Sequence, residues 1–283
     1  MPRYVARIRI GIPECALTQS RLNRYSAGSQ WRVSLSPQDI AASPTGPSPI
    51  QLGEVHVWSA LLDGHREYLN YYTSILSDDE LARMSKYAFA RDRFRFAICR
   101  GILRELLGKY LSLNEKAIEI KLGAGGKPAL VRDRQVVDLR FNLSHSHGFA
   151  VLAFTIGREL GVDTELIRFG LEVEDIAQNY FSSDEQAELS RLKGGDRAAG
   201  FFLGWTGKEA YVKARGEGLQ LALDSFSVSL IPGVPARLSS QDADRWSLHF
   251  LTLVQGWAAA LVVEGVPSRI IHRDYVPDPE KIR

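Results

Sequence analysis

The chain has 283 residues, of which 45% are hydrophobic and 24% charged, a composition that excludes collagen, coiled coil and wholesale disorder. Its 35 Lys and Arg against 33 Asp and Glu leave a net charge of +2, too little to attract a polyanion over the whole surface, so any nucleotide or phosphate has to be held locally. At roughly 150 residues per domain, the length suits two domains or one domain of duplicated halves. Cys15 and Cys99 cannot build a disulfide framework, and no apolar run approaches the roughly 18 residues of a membrane span. A cytoplasmic protein with no membrane partner is expected.

Residues 1–50 carry Arg3, Arg7, Arg9, Arg21, Arg24 and Arg32 against Glu14 and Asp39, and end in SPTGPSPI. They are expected to form a flexible N-terminal extension outside the fold, a transit peptide being the alternative. The apolar stretch from Val55 to Leu62 predicts a strand. Ser77-Asp78-Asp79-Glu80 is a Ser-x-x-Glu capping box that starts a helix. Ile98, Ile102, Leu103, Leu106, Leu107 and Tyr110 then recur at helical spacing, with Arg93, Arg100 and Arg104 off that stripe, which predicts one core face and one cationic face. Ala117 to Leu122 alternates as a half-buried strand, and Gly148 to Ile156 is a continuous apolar run suited to a buried one.

The same order recurs downstream. A second capping box, Ser182-Ser183-Asp184-Glu185, is followed by a long helix through Phe201 to Ala214 and the strand-like DSFSVSL from Asp224 to Leu230. A final strand is expected from Gly256 to Val263, and IHRDYVPDPEKIR reads as a polar, frayed tail. The repeated order predicts an α+β fold of pseudo-twofold, duplicated architecture, with subdomains over 51–160 and 161–270, a tail over 271–283 and a site between the halves.

Four segments carry chemistry-bearing residues. In Gly161-Val162-Asp163-Thr164-Glu165, an extended backbone puts Asp163 and Glu165 on one face, where two like charges call for a shared proton or cation. Hard oxygen ligands suit Mg²⁺, and the plain alternative is an exposed strand end. In FFLGWTGKEAYVKARGEGL, helical spacing lines up Trp205, Lys208, Glu209, Val212 and Lys213. The plain reading is a Glu209–Lys213 surface pair. The functional one adds Glu209 as a third carboxylate and turns Lys208 and Lys213 toward phosphate oxygens. Gly125-Gly126-Lys127-Pro128 is a tight turn presenting a lysine, and Pro128 stands where a Walker loop needs Ser or Thr. In Phe141-Asn142-Leu143-Ser144-His145-Ser146-His147, adjacent Ser and His point to opposite faces of a strand and no GxSxG elbow exists, so a serine hydrolase is disfavoured. Phosphate binding and a structural turn both remain open for this segment.

Taken together and in this order, GGKP, FNLSHS, GVDTE and WTGKEAYVKARGEGL resemble the 4'-phosphopantetheinyl transferases of the surfactin-synthetase-activating type, over about residues 55–265. Thr164 departs from the usual branched aliphatic of that family's strand. The resemblance implies an enzyme that binds coenzyme A between two similar subdomains and transfers its phosphopantetheine arm to a serine of an apo acyl or peptidyl carrier protein. It implies Mg²⁺ on Asp163, Glu165 and Glu209. Lys127, Ser144 and His145 would lie around the 3'-phosphate, with Arg83, Lys86, Arg95 and Arg100 as further phosphate contacts. By the same resemblance Lys213 would neutralise developing charge, and Glu209 or a water would take the serine proton. A nucleotide- or RNA-binding module using Arg93 to Arg104 and a metal-dependent phosphohydrolase are the competing readings. The near-neutral charge argues against a nucleic-acid partner. A single chain holding both halves predicts a monomer.

Overall fold

The computed structural model describes residues 47–123, 125–132, 135–136 and 138–282. All but the last four residues of the extension expected over 1–50 lie outside the described residues. Strand β1 (Glu54–Leu61) opens the fold, followed by α1 (Leu69–Ile75), α2 (Asp78–Ser85) and the 22-residue α3 (Ala90–Leu111). A small antiparallel sheet of β2 (Glu119–Leu122), β3 (Pro128–Arg132) and β4 (Gln135–Val136) precedes β5 (Leu139–Ser146), β6 (Phe149–Ile156) and β7 (Leu160–Leu166). The second half runs through α4 (Glu174–Tyr180), α5 (Ser183–Arg191) and the 22-residue α6 (Gly194–Arg215). It ends in the short pair β8 (Ser227–Val228) and β9 (Leu238–Ser239), then β10 (Trp246–Phe250), β11 (Trp257–Glu264) and β12 (Arg269–Asp274).

Two sheets organise these elements, in the orders β12-β1-β6-β5 and β10-β11-β7. One core cluster packs α1 and α3, through Tyr72, Ile98, Ile102, Leu103 and Leu107, against Trp58, Leu152 and Phe154 of the first sheet. The other lies between the sheets, where Val55, Val57, Phe149 and Val151 meet Leu160, Val162, Leu261 and Val263. Because both faces of β6 are covered, its sequence is continuously apolar rather than alternating.

The repeat of element order takes a definite form. Both capping boxes close reciprocally, Ser77 with Glu80 and Ser182 with Glu185, and each glutamate is buried against a cation of the following long helix. Glu80 receives Arg104 Nε at 2.5 Å and Arg100 Nη2 at 2.6 Å. Glu185 receives Lys208 Nζ at 2.6 Å. This corrects the cationic face expected on α3. Arg104 is only 2% exposed, and its Nη1 donates to the carbonyls of Glu115 at 2.8 Å and Ile118 at 3.2 Å. Arg93 donates to the carbonyls of Tyr87 and Ala88. A buried capping carboxylate needs a counterion, and the arginines off the apolar stripe supply it.

Two further expectations change. The first four residues of the segment read as a frayed tail complete β12, which pairs in parallel with β1 from Glu54↔Arg269 to Ser59↔Asp274. Tyr275 beyond it is buried, its hydroxyl donating to Glu105 Oε2 at 2.7 Å and pairing with the Tyr72 hydroxyl at 2.7 Å. Within DSFSVSL only Ser227–Val228 is strand, the residues before it forming a 3-10 turn.

Candidate active site

Strands β5 and β7 are edge strands of the two sheets, and they run side by side through side-chain bridges rather than a ladder. Asn142 Oδ1 accepts the Val162 N–H at 2.9 Å, Ser144 Oγ donates to Asp163 Oδ1 at 2.7 Å, and Ser146 Oγ donates to Glu165 Oε2 at 2.5 Å. The period of two puts Asn142, Ser144 and Ser146 on one face of β5, while Phe141 and Leu143 join the helical core. The polar half of FNLSHS is therefore a seam that holds the two carboxylates of GVDTE.

Helix α6 closes this seam at very short range. A Cβ on Gly161 would stand 2.1 Å from the Ala210 carbonyl oxygen and 2.3 Å from the Ala214 nitrogen, so only glycine lets the helix backbone lie on β7 here. That approach delivers Lys213, whose Nζ donates to Asp163 Oδ1 at 2.6 Å and to the Val162 carbonyl at 3.1 Å. Glu209, one turn earlier on the same face of α6, is half-buried.

Lys208 belongs elsewhere. It is 0% exposed, and its Nζ donates to Glu185 at 2.6 Å and to the carbonyls of Leu223 and Phe226, both at 2.7 Å, which occupies all three of its donors. Five residues on an α-helix turn through about 140°, so Lys208 and Lys213 cannot share a face. Burial pushes the Lys208 ammonium down and the Glu185 carboxyl up from their ordinary values. The expectation that Lys208 faces phosphate is thus corrected to a structural ion pair.

The GGKP turn docks on the far end of α6. A Cβ on Gly125 would lie 1.6 Å from the Gly216 carbonyl oxygen, and Lys127 Nζ donates to Glu159 at 2.5 Å and to the Ala214 carbonyl at 2.8 Å. Desolvation lowers the Lys127 ammonium pKa, with Glu159 opposing it.

At the other end of the seam, β5 and β6 are joined by a two-residue turn. His147 (φ 46°) and Gly148 (φ 87°) both take left-handed backbone, as the right-handed twist of a tight hairpin requires. Arg95 forms a bidentate pair with Asp63, Nε to Oδ1 at 2.9 Å and Nη2 to Oδ2 at 2.7 Å, and a Cβ on Gly148 would touch both partners. The Arg95 hydrogen bond holds the Asp63 carboxyl below its usual value.

Arg83 and Lys86 are exposed at the C-terminal end of α2, the Arg83 guanidinium lying over Phe96, and Arg100 is committed to Glu80. His145 is half-buried and, next in line to Ser144, points from the opposite face of β5. Four residues given no site role in the sequence reading, Asn142 and Ser146 on the seam, Glu159 on Lys127 and Asp63 on Arg95, are structural partners of the expected ones. Only the Asn142–Ser144–Ser146 spacing could have signalled a second polar row.

A hard cation is compatible with this donor set. Asp163 is 3% exposed, and its Oδ2 has no hydrogen-bond partner among the described residues, which leaves one buried carboxylate oxygen for a ligand. Among the described residues no three His, Cys, Asp or Glu side chains already converge as a metal cluster.

The sequence matches the 4'-phosphopantetheinyl transferase superfamily over residues 159–262 and the N-terminal 4'-phosphopantetheinyl transferase family over residues 63–156. It is 37% identical over 212 residues to the 4'-phosphopantetheinyl transferase HetI of Nostoc sp., covering 75% of this chain and 88% of that protein. The chain belongs to the 4'-phosphopantetheinyl transferases. The transferase is also 28% identical over 160 residues to Sfp of Bacillus subtilis, covering 56% of this chain and 68% of Sfp. Among solved structures it aligns with a holo-(acyl-carrier-protein) synthase from Bacillus anthracis in complex with CoA at 23% identity and a TM-score of 0.32, over 38% of this chain and 96% of that one. The two family matches meet between residues 156 and 159, at the β6–β7 turn, so the polar seam joins residues that fall in different matches. No helix among the described residues of the transferase is long and apolar enough to cross a membrane.

Proposed function

We propose that the transferase moves the phosphopantetheine arm of coenzyme A onto a serine of an apo carrier protein with Mg²⁺, at the seam where β5, β7 and α6 meet. The observation that carries this reading is the Ser144–Asp163–Lys213 cluster, in which the serine and the aspartate are buried and the lysine is partly exposed. Its three residues come from the FNLSHS, GVDTE and KEAYVK segments, and its Asp163 Oδ2 is left without a partner. In the transfer, the carrier serine oxygen bonds to the β-phosphorus, the bond to the bridging oxygen breaks, and adenosine 3',5'-bisphosphate leaves with that electron pair. Lys213, seated beside Asp163, neutralises charge growing on the phosphate oxygens. Glu209 takes the proton released by the serine hydroxyl. Asp163, Glu165 and Glu209 would hold Mg²⁺, which when bound supplies charge neutralisation on the pyrophosphate.

Lys127, His145 and Arg95 are assigned to the nucleotide phosphates. Arg83 on α2 and Lys86 just after it, both exposed, are assigned to the outer phosphate surface. Both halves lie in one chain, so the working unit is a monomer, which sedimentation checks.

The test is intact-mass spectrometry of an apo carrier protein incubated with coenzyme A and the transferase, with Mg²⁺ or with a chelator, alongside Asp163→Ala. A gain of one phosphopantetheine that vanishes with chelator and in the variant is expected. A gain that survives both overturns the metal assignment, and no gain together with no coenzyme A binding overturns the transfer itself.

A further inference from the structure

We propose that Ser146 is a positioning residue, the hydroxyl that sets which oxygen of Glu165 faces the cation. The inference rests on the Mg²⁺ reading above. Ser146 is 3% exposed at the last position of β5, and its Oγ lies 2.5 Å from Glu165 Oε2 and 2.9 Å from His147 Nδ1. A serine hydroxyl has one hydrogen. Donated to Glu165, it leaves Oγ only as an acceptor toward His147, so the imidazole must carry its proton on Nδ1. The chain His147 Nδ1–H, Ser146 Oγ–H, Glu165 Oε2 therefore runs in one direction. Protonating His147 would not reverse it, because Nδ1 is a donor in the charged ring as well.

The relay is anchored from behind. The Gly148 carbonyl accepts the Leu62 N–H at 2.7 Å, and Gly148 abuts the Asp63–Arg95 pair so closely that a Cβ would fall 2.8 Å from Asp63 Oδ2. The Ser146-His147-Gly148 corner cannot slide without breaking that pair. Ser144 does the same for Asp163 two residues earlier, its hydroxyl occupying Oδ1 and leaving Oδ2 open. Two serines two residues apart on β5 thus match two carboxylates two residues apart on β7. Each serine occupies one oxygen and fixes the rotamer of the other. Groups that orient a metal-ligating carboxylate change metal affinity by about 10- to 100-fold when removed.

The experiment titrates Mn²⁺, which suits carboxylate sites as Mg²⁺ does, into the full chain saturated with coenzyme A, following free Mn²⁺ by electron paramagnetic resonance. Wild type, Ser146→Ala, Ser146→Cys, Ser146→Thr and Glu165→Gln are compared, with melting temperatures for each. Weakening by about 10- to 100-fold in the Ala variant, with recovery in the Thr variant that keeps a hydroxyl, supports the proposal. The Cys variant keeps the shape with a weak donor, so it answers the same question if Ala fails to fold. Wild-type affinity in a folded Ala or Cys variant overturns the role of Ser146 while the metal reading stands. If wild type takes up no Mn²⁺, or Glu165→Gln binds it as wild type does, the metal reading fails and the proposal with it.

Discussion

Lys213 Nζ and Asp163 Oδ1 stand 2.6 Å apart across the α6–β7 contact, and the same oxygen also accepts the Ser144 hydroxyl at 2.7 Å. One carboxylate oxygen is thereby saturated by a cation and a hydroxyl. The other is left buried and open, a division that only the close packing of helix on strand at Gly161 permits.

Replacing Lys213 by Met removes the cation from this cluster. Donors aimed at developing charge contribute about 10²- to 10³-fold to turnover, so kcat should fall in that range while KM for the carrier protein moves little. Steady-state kinetics of carrier modification measure both, and an unchanged kcat would remove Lys213 from the chemistry.

Lys208 tests the opposite assignment. Its partner Glu185 also accepts the N–H groups of Ser182 at 2.8 Å and Val228 at 2.8 Å, so Lys208→Met strands a buried carboxylate that three elements share. A loss of about 3 to 5 kcal/mol is expected in urea unfolding. The double variant Lys208→Met, Glu185→Gln should be more stable than the single one, because no unpaired charge stays inside. A single variant of wild-type stability would contradict the buried pair.

The Glu80 pair gives a pH dependence of defined sign. Burial raises the Glu80 carboxyl, but Arg100, the Ser77 N–H and Arg104 together outweigh it and hold the group below its ordinary 4.5. A folded-state pKa below the unfolded one adds stability that is present above 4.5 and lost as pH falls through the folded value. The gap in urea midpoint between wild type and Glu80→Gln should therefore be constant near neutrality and narrow below pH 4.5. A gap that persists undiminished at strongly acid pH would refute this.

Glycine positions separate by what their Cβ would meet. Gly161→Ala drives a methyl into the α6 backbone, so a loss of about 1 to 3 kcal/mol is expected together with reduced turnover, since β7 carries Asp163 and Glu165. Gly195→Ala, near the start of α6, meets nothing closer than the Phe169 ring at 3.5 Å and should be neutral or stabilising by up to about 1 kcal/mol. Thermal unfolding of the two variants checks the contrast.

Local and periodic features were readable in the chain itself. The two capping boxes, 105 residues apart by number, depend only on a serine and a glutamate three positions on, and both close as their spacing requires. The long helices and the buried run of β6 follow from apolar periodicity, and Asp163 with Glu165 on one face follows from the alternation of a strand. Contacts between distant segments were not readable. Which side of α6 is interior decides that Lys208 is a buried counterion and Lys213 a site residue, and it depends on α5 and β7 rather than on the helix's own spacing. The arginines of α3 look like a solvated face until Glu80 of α2 is seen beneath them. The C-terminal strand finds its place only by pairing with β1, more than 200 residues away. Spacing along the chain determines how a segment folds and which of its residues share a face. Only the packing of one segment on another determines which face is dry, and a buried charge must then find its partner there.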